Sequence, residues 1–430
     1  MKILNIGGAT AIIEHKGKRI LFDPWLDDGI FHGSWYHYPP SNVAIKDLGH
    51  LDYVYISHIH EDHCSAGTIK HINRDAEIIV MEQKPNLVVN FLKANGFEFK
   101  KIHVIKPQTP EEISPGLIVD MVTADPAHEL NFAIDSGLIL NWDGFVIYNA
   151  NDCPAYEAGM NYIKSTYKNI DLALLPYSAG SGYPACYKNL SDDEKISEKN
   201  RIFNNFIDSF MHSVQTLKPR LVMPFADQYV VAGSRSHLNK FMAHAPGPDI
   251  VIEPMRKAGL LDQLLLLNSG QEFDLHEKIK IPNEAYILNT EEARETYIRE
   301  NLQTKKYDHE AFELGNTVPI HRLIQSARDR LWAMQERQSY FPDFKYYIHV
   351  EDKKRLFEID LKSKKIEELD VTATKVQPYL ALLGSATLIT LMLVGHISWN
   401  IADAGLFIDY ERVPNNYDPQ IHAFINYLRL

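Results

Sequence analysis

Seven consecutive residues, Ser57-His58-Ile59-His60-Glu61-Asp62-His63, hold five side chains that can bind a metal ion or move a proton. They follow Leu51-Asp52-Tyr53-Val54-Tyr55-Ile56, which reads as a short buried strand. The cluster therefore sits where a strand runs out into a loop, the place where α/β folds keep their chemistry. Along an extended chain His58 and His60 project to one side. Asp62 and His63 reach the same centre only if the chain turns, and Ser65-Ala66-Gly67-Thr68 supplies the turn. Imidazoles with carboxylates suit zinc or iron. More ligands crowd here than one tetrahedral ion accepts, so the expectation is two divalent metal ions.

Other stretches repeat this pattern of a strand followed by polar residues. Lys2 to Asn5, Thr10 to His15 and Lys18 to Phe22 have strand character, and the last leads into Asp23-Pro24-Trp25. Asp23 is placed to orient a metal-binding histidine from behind. Leu117 to Val122 ends in a loop that contains His128, the candidate for a further imidazole. The turn Asp143-Gly144 marks a hairpin whose second strand delivers Asn151 and Asp152, and one carboxylate there can bridge two ions. Asp62 and Asp152 are the candidate catalytic carboxylates. The loop Gly29 to Ser41, with Phe31, Trp35, Tyr36 and Tyr38, either closes over a ligand or is a partly buried structural loop.

From about Asp249 the pattern changes. Helical periodicity appears at Thr290 to Gln303 and Ile320 to Arg337, and Tyr346 to Leu369 reads as a small antiparallel meander. This divides the chain into a catalytic domain, 1–270, a helical connection, 271–319, and a smaller α+β C-terminal domain, 320–430. Val376 to Ala402 lacks Lys, Arg, Asp and Glu, yet Gly384, Ser385, Thr387 and Thr390 dilute its apolar run. It is expected as a buried helix or strand, with no membrane span.

A net charge of −12 offers no basic stripe for displacing counterions from phosphates, so nucleic acid is not an expected partner and a small-molecule substrate is. Three widely spaced cysteines, Cys64, Cys153 and Cys186, give no disulfide framework and fit a reducing cytoplasm.

His58-Ile59-His60-Glu61-Asp62-His63 resembles the H-x-H-x-D-H signature of the metallo-β-lactamase fold, an αββα sandwich within the α/β class. The resemblance implies that His58, His60 and His128 hold a first metal, Asp62 and His63 a second, and that Asp152 bridges them. It also implies a late ligand near Pro224, for which this sequence offers Asp227 or the shifted His237; His237 is the expected one. Phe22-Asp23-Pro24-Trp25-Leu26, Asn151-Asp152-Cys153, the Ser178 to Pro184 loop and Pro219 to Ala226 further resemble the lactamase-fold portion of the CMP-N-acetylneuraminate hydroxylase family. That family carries a Rieske iron-sulfur domain, whereas no cysteine here has a histidine at the C-x-H or C-x-x-H spacing. The fold resemblance implies a metal-dependent hydrolase using a metal-activated water. The hydroxylase resemblance implies a di-iron oxygenase on a sugar-nucleotide-like substrate, with a separate reductase.

Overall fold

Alternate residues of the N-terminal strands face two different cores. Ile13, Ile20, Phe22, Tyr53 and Tyr55 pack into one, and Ile12, Leu21, Val54 and Ile56 into another. The same period of two recurs later, with Leu138, Leu140, Leu172 and Leu174 in the first core and Ile139, Ala173 and Leu175 in a third. A strand apolar on both faces must lie in an inner layer, since each buried Leu or Ile contributes roughly 1.5–3 kcal/mol over an exposed one. A computed structural model, which describes residues 1–123, 135–312, 314 and 318–430, shows that arrangement.

Among the described residues the first sheet has eight strands, in the order Ile279–Ile281, Glu272–Asp274, Lys2–Gly7, Thr10–His15, Lys18–Phe22, Tyr53–Tyr55, Glu77–Met81, Lys101–Ile105. The second has six: Leu221–Phe225, Leu172–Pro176, Phe145–Asn149, Gly137–Trp142, Leu117–Val122, Glu111–Ser114. Their facing sides form the central core. Helices Glu157–Thr166 and Asp192–Leu217 cover the outside of the second sheet, and Leu87–Ala94 covers the first. The long helix starts at a capping box made by Ser191 and Glu194. Residues 272–281, expected within a helical connection, are instead two strands that extend the first sheet, Glu272 pairing with Leu4.

Parallel pairing brings the site together. Lys18–Phe22 and Tyr53–Tyr55 are parallel neighbours, so their C-terminal ends deliver Asp23 and Ser57 side by side. In the second sheet Phe145–Asn149, Leu172–Pro176 and Leu221–Phe225 are parallel and end together before Asp152, Tyr177 and Asp227. Ser136 ties the two sheets here. Its carbonyl accepts from Tyr55 OH at 2.7 Å and from Asn151 Nδ2 at 2.7 Å, while its own Oγ donates to the Ser57 carbonyl at 2.9 Å.

The C-terminal region forms a five-stranded sheet, Ile366–Leu369, Arg355–Asp360, Lys345–Val350, Tyr379–Gly384, Asp409–Val413. The expected meander is its first half. The apolar run after Val376 provides a fully buried strand, Tyr379–Gly384, parallel to Lys345–Val350, and then helix Ala386–Leu393 capped by Ser385. No helix among the described residues is long and apolar enough to cross a membrane. One core joins this region to the rest: Trp25, Phe31, Trp35 and Tyr229 pack with Ile320, Leu331, Trp399 and Leu406. Phe31, Trp35 and Tyr38 of the aromatic loop are buried. The loop docks onto the C-terminal region, with Trp35 Nε1 donating to the Ala404 carbonyl at 2.7 Å.

Candidate metal centre

His58, His63 and Asp152 each present a ligand atom within 4.8 Å of the others, at the mouth of the two sheets. His63 Nε2 lies 3.3 Å from Asp62 Oδ2 and 3.3 Å from Asp152 Oδ2. His58 Nε2 is 2.8 Å from His60 Nδ1 and 3.7 Å from Asp135 Oδ1. Of the residues expected from the sequence, His58, His63 and Asp152 converge, His60 touches His58, and Asp62 touches His63. His128 lies outside the described residues.

The outer side of the cluster is built to hold it. Asp23 is fully buried, and its carboxylate accepts from Ser57 N at 2.7 Å, from Ser57 Oγ at 2.9 Å and from His63 Nδ1 at 2.9 Å. Its backbone is in the left-handed region (φ 40°), an unusual state for a side-chain-bearing residue that a surrounding hydrogen-bond set can hold. Because Asp23 accepts from Nδ1, His63 turns Nε2 inward, the orientation a metal ligand needs. Replacing Asp23 by asparagine is expected to weaken metal affinity by about tenfold or more, read by competition with a chromogenic chelator. Unchanged affinity would remove Asp23 from this role.

The charges are arranged to favour a cation. Burial lowers the His58 pKa to about 4, helped by the His63 charge, and burial likewise lowers that of His60. Both are neutral near pH 7, the form in which an imidazole can offer a lone pair to a metal. Burial disfavours charge on His63 too, but Asp152, Asp62 and Asp23 together outweigh it and hold its pKa well above the usual value. Burial alone would raise Asp62 and Asp152; the neighbouring histidines prevail and hold both below the ordinary carboxylate range. Asp135 belongs to none of the motifs that mark the site in the sequence. Its Oδ1 is buried without a hydrogen-bond partner, and burial pushes its pKa up to about 7. The neutral imidazoles of His58 and His60, with His63 among ionised carboxylates and an orphaned carboxylate oxygen beside them, form a donor set that fits one or two divalent cations, which would take the place of the His63 proton.

The two candidates for a late ligand are placed differently. His237 is exposed on the 3-10 helix Gly233–Phe241, its Nδ1 3.0 Å from the Ser234 carbonyl, and makes no described contact with the cluster. Asp227 is buried, with Oδ1 3.7 Å from Nδ1 of His244, a residue the sequence reading did not single out. Both Asp227 oxygens, both His244 nitrogens, Tyr177 OH, Ser178 Oγ and Tyr229 OH are buried without hydrogen-bond partners. Tyr229 feels both groups: burial first, then the charges of Asp227, Asp62 and Asp152, raise its pKa.

Comparison with known proteins agrees with this architecture. Residues 18–222 match the family profile described as the beta-lactamase superfamily domain. The chain is 29% identical over 192 residues to a Mycobacterium tuberculosis protein named as a Rieske 2Fe-2S iron-sulfur protein, covering 44% of this chain and 36% of that one. It is 28% identical over 223 residues to the cytidine monophosphate-N-acetylneuraminic acid hydroxylase of Cricetulus griseus, covering 50% and 37%. The chain thus spans little more than a third of the length of these relatives. Among solved structures it is similar to an isothiocyanate hydrolase from Delia radicum gut bacteria, at 17% identity and a TM-score of 0.47, covering 64% of this chain and 99% of that one. Residues 18–222, just under half of the chain, thus match a beta-lactamase superfamily domain within an α/β architecture of the metallo-β-lactamase kind, and an additional C-terminal region follows.

Proposed function

We propose that the protein is a metal-dependent hydrolase acting on a polar small molecule. The observation that carries this reading is the convergence of His58, His63 and Asp152 at the joined strand ends, with Asp62 beside them. His58, His60, Asp62, His63 and Asp152 would hold one or two divalent ions, with zinc or iron suited to this donor set. Such an ion supplies Lewis acidity and lowers the pKa of water towards neutrality. The protein's own part follows from its charges. Asp62 and Asp152 are ionised near pH 7, so either carboxylate can accept a proton from a water in the site. His63, fixed by Asp23, faces both carboxylates at 3.3 Å and helps keep them ionised. The buried polar group of Tyr177, Ser178, Asp227, Tyr229 and His244, loosely paired within itself with Asp227 3.7 Å from His244, supplies donors and acceptors for polar substrate groups, since buried polar atoms are ordinarily well paired.

Similarity to a hydroxylase over half of the chain favours a second reading, an oxygenase with iron in the same centre and a separate electron donor. The full relatives are much longer than this chain, so their activity enters only as this proposal. The experiment that separates the two is metal analysis of protein purified without added metal, with its visible spectrum. A colourless zinc protein whose ester, amide or phosphodiester hydrolysis is lost to a chelator and restored by zinc is expected. Bound iron with charge-transfer absorption and no hydrolysis would overturn the hydrolase in favour of the oxygenase. Metal bound with neither activity would leave a binding module.

A further inference from the structure

Each imidazole of the cluster has one nitrogen turned inward and one held from outside. His58 is held at Nδ1 by Ser57 Oγ, 3.0 Å away, and His63 at Nδ1 by Asp23, 2.9 Å away. His60 is turned the other way. Its Nδ1 faces inward, 2.8 Å from His58 Nε2, and its Nε2 faces out and meets the side-chain amide of Asn400 at 3.0 Å. Asn400 is 340 residues further along the chain, on helix Trp399–Ala404 of the C-terminal region.

We propose that Asn400 is a positioning residue of the metal centre, the outer partner that fixes the ring orientation and tautomer of His60. The inference rests on the metal-centre reading above and extends it to the C-terminal region. A ring that binds an ion through Nδ1 carries its proton on Nε2, and that N–H needs an acceptor. Asn offers an oxygen at one end of its amide and an NH2 at the other, and a half-turn of the amide exchanges them in the same space. The same side chain can donate to Nε2 in the metal-free protein and accept from Nε2–H in the loaded one. The helix that carries it is held firmly. Ser398 caps its start, the buried Trp399 donates from Nε1 to the Leu428 carbonyl at 2.9 Å, and the Gly405 carbonyl accepts from Ser34 Oγ at 2.9 Å. Asn400 itself is exposed, so water competes for the contact.

The test is zinc affinity, by chelator competition, and the visible spectrum of the cobalt-substituted full chain, for wild type, Asn400→Ala and Asn400→Asp. Asn400→Ala is expected to weaken affinity by about tenfold, the lower end of what outer partners contribute, and to alter the cobalt bands. The metal-free melting temperature should hardly move. Asn400→Asp, which keeps an acceptor at the same place, should restore affinity to within about twofold of wild type. Wild-type affinity and spectrum in Asn400→Ala would overturn the proposal and leave the centre intact. Weakened affinity in both variants would overturn it too, because packing and not acceptance would then be the cause. Absence of cobalt or zinc binding by the wild type would overturn the centre itself.

Discussion

His58→Ala is expected to lose metal and turnover together, turnover by roughly 10⁴-fold, the scale seen when one member of a jointly acting set is removed. The protein should remain folded. His58 is neutral near pH 7, since burial holds its pKa at about 4, so alanine removes a ligand atom without removing charge from the cluster. His63→Ala is a different substitution. Asp23, Asp62 and Asp152 all approach His63 within 3.3 Å, and without it three carboxylates face one another with no cation. That variant should lose metal and also stability in the metal-free state, which makes His58→Ala the cleaner measurement. Metal content by elemental analysis, with circular dichroism for the fold, checks it. Wild-type metal content in His58→Ala would remove His58 from the centre.

Asp409→Asn is expected to destabilise the protein by about 3 kcal/mol at pH 7, the cost of leaving one partner of a largely buried pair unmatched. Asp409 in the last strand of the C-terminal sheet pairs with the Arg235 guanidinium and lies 3.1 Å from Lys188 Nζ. Arg235 also donates from Nε to the Leu406 carbonyl at 2.8 Å, so this one side chain joins the 3-10 helix Gly233–Phe241 to the C-terminal region. Burial by itself would raise the Asp409 pKa, but Arg235 and Lys188 outweigh it and hold it below the ordinary value. A carboxylate depressed on folding contributes stability that is present above its unfolded pKa of about 3.9 and is lost as pH falls through the folded value. The difference between wild type and Asp409→Asn should thus be full at pH 7 and shrink below about pH 3.9. Urea unfolding at a series of pH values measures it. A difference that does not change with pH would assign the loss to packing instead of charge.

Much of the candidate centre was legible in the sequence because its parts are local. His58, His60, Asp62 and His63 lie within six residues after one strand, and Asp23 and Asp152 each stand just past a strand end, so short-range pattern sufficed to nominate them. The choice between Asp227 and His237 was not local. Chemistry favours the imidazole, whereas the structure buries Asp227 at the strand end and leaves His237 on the exposed side of a 3-10 helix that turns Ser236, Leu238 and Phe241 inward instead.

The sequence by itself determined which faces are buried. Alternation in Lys18–Phe22, Tyr53–Tyr55, Gly137–Trp142 and Leu172–Pro176 records burial on both sides, and hence inner layers between helices. What only the tertiary structure decided is which edges and side chains meet. Backbone hydrogen bonds carry no residue code, so nothing in Glu272–Asp274 marks Lys2–Gly7 as its partner, nor in Tyr379–Gly384 a parallel place beside Lys345–Val350. For the same reason Asp135, His244 and Asn400 were silent in the sequence. Each acquires its chemistry from neighbours brought by the packing of separate segments, and for Asn400 that neighbour is a histidine 340 residues away.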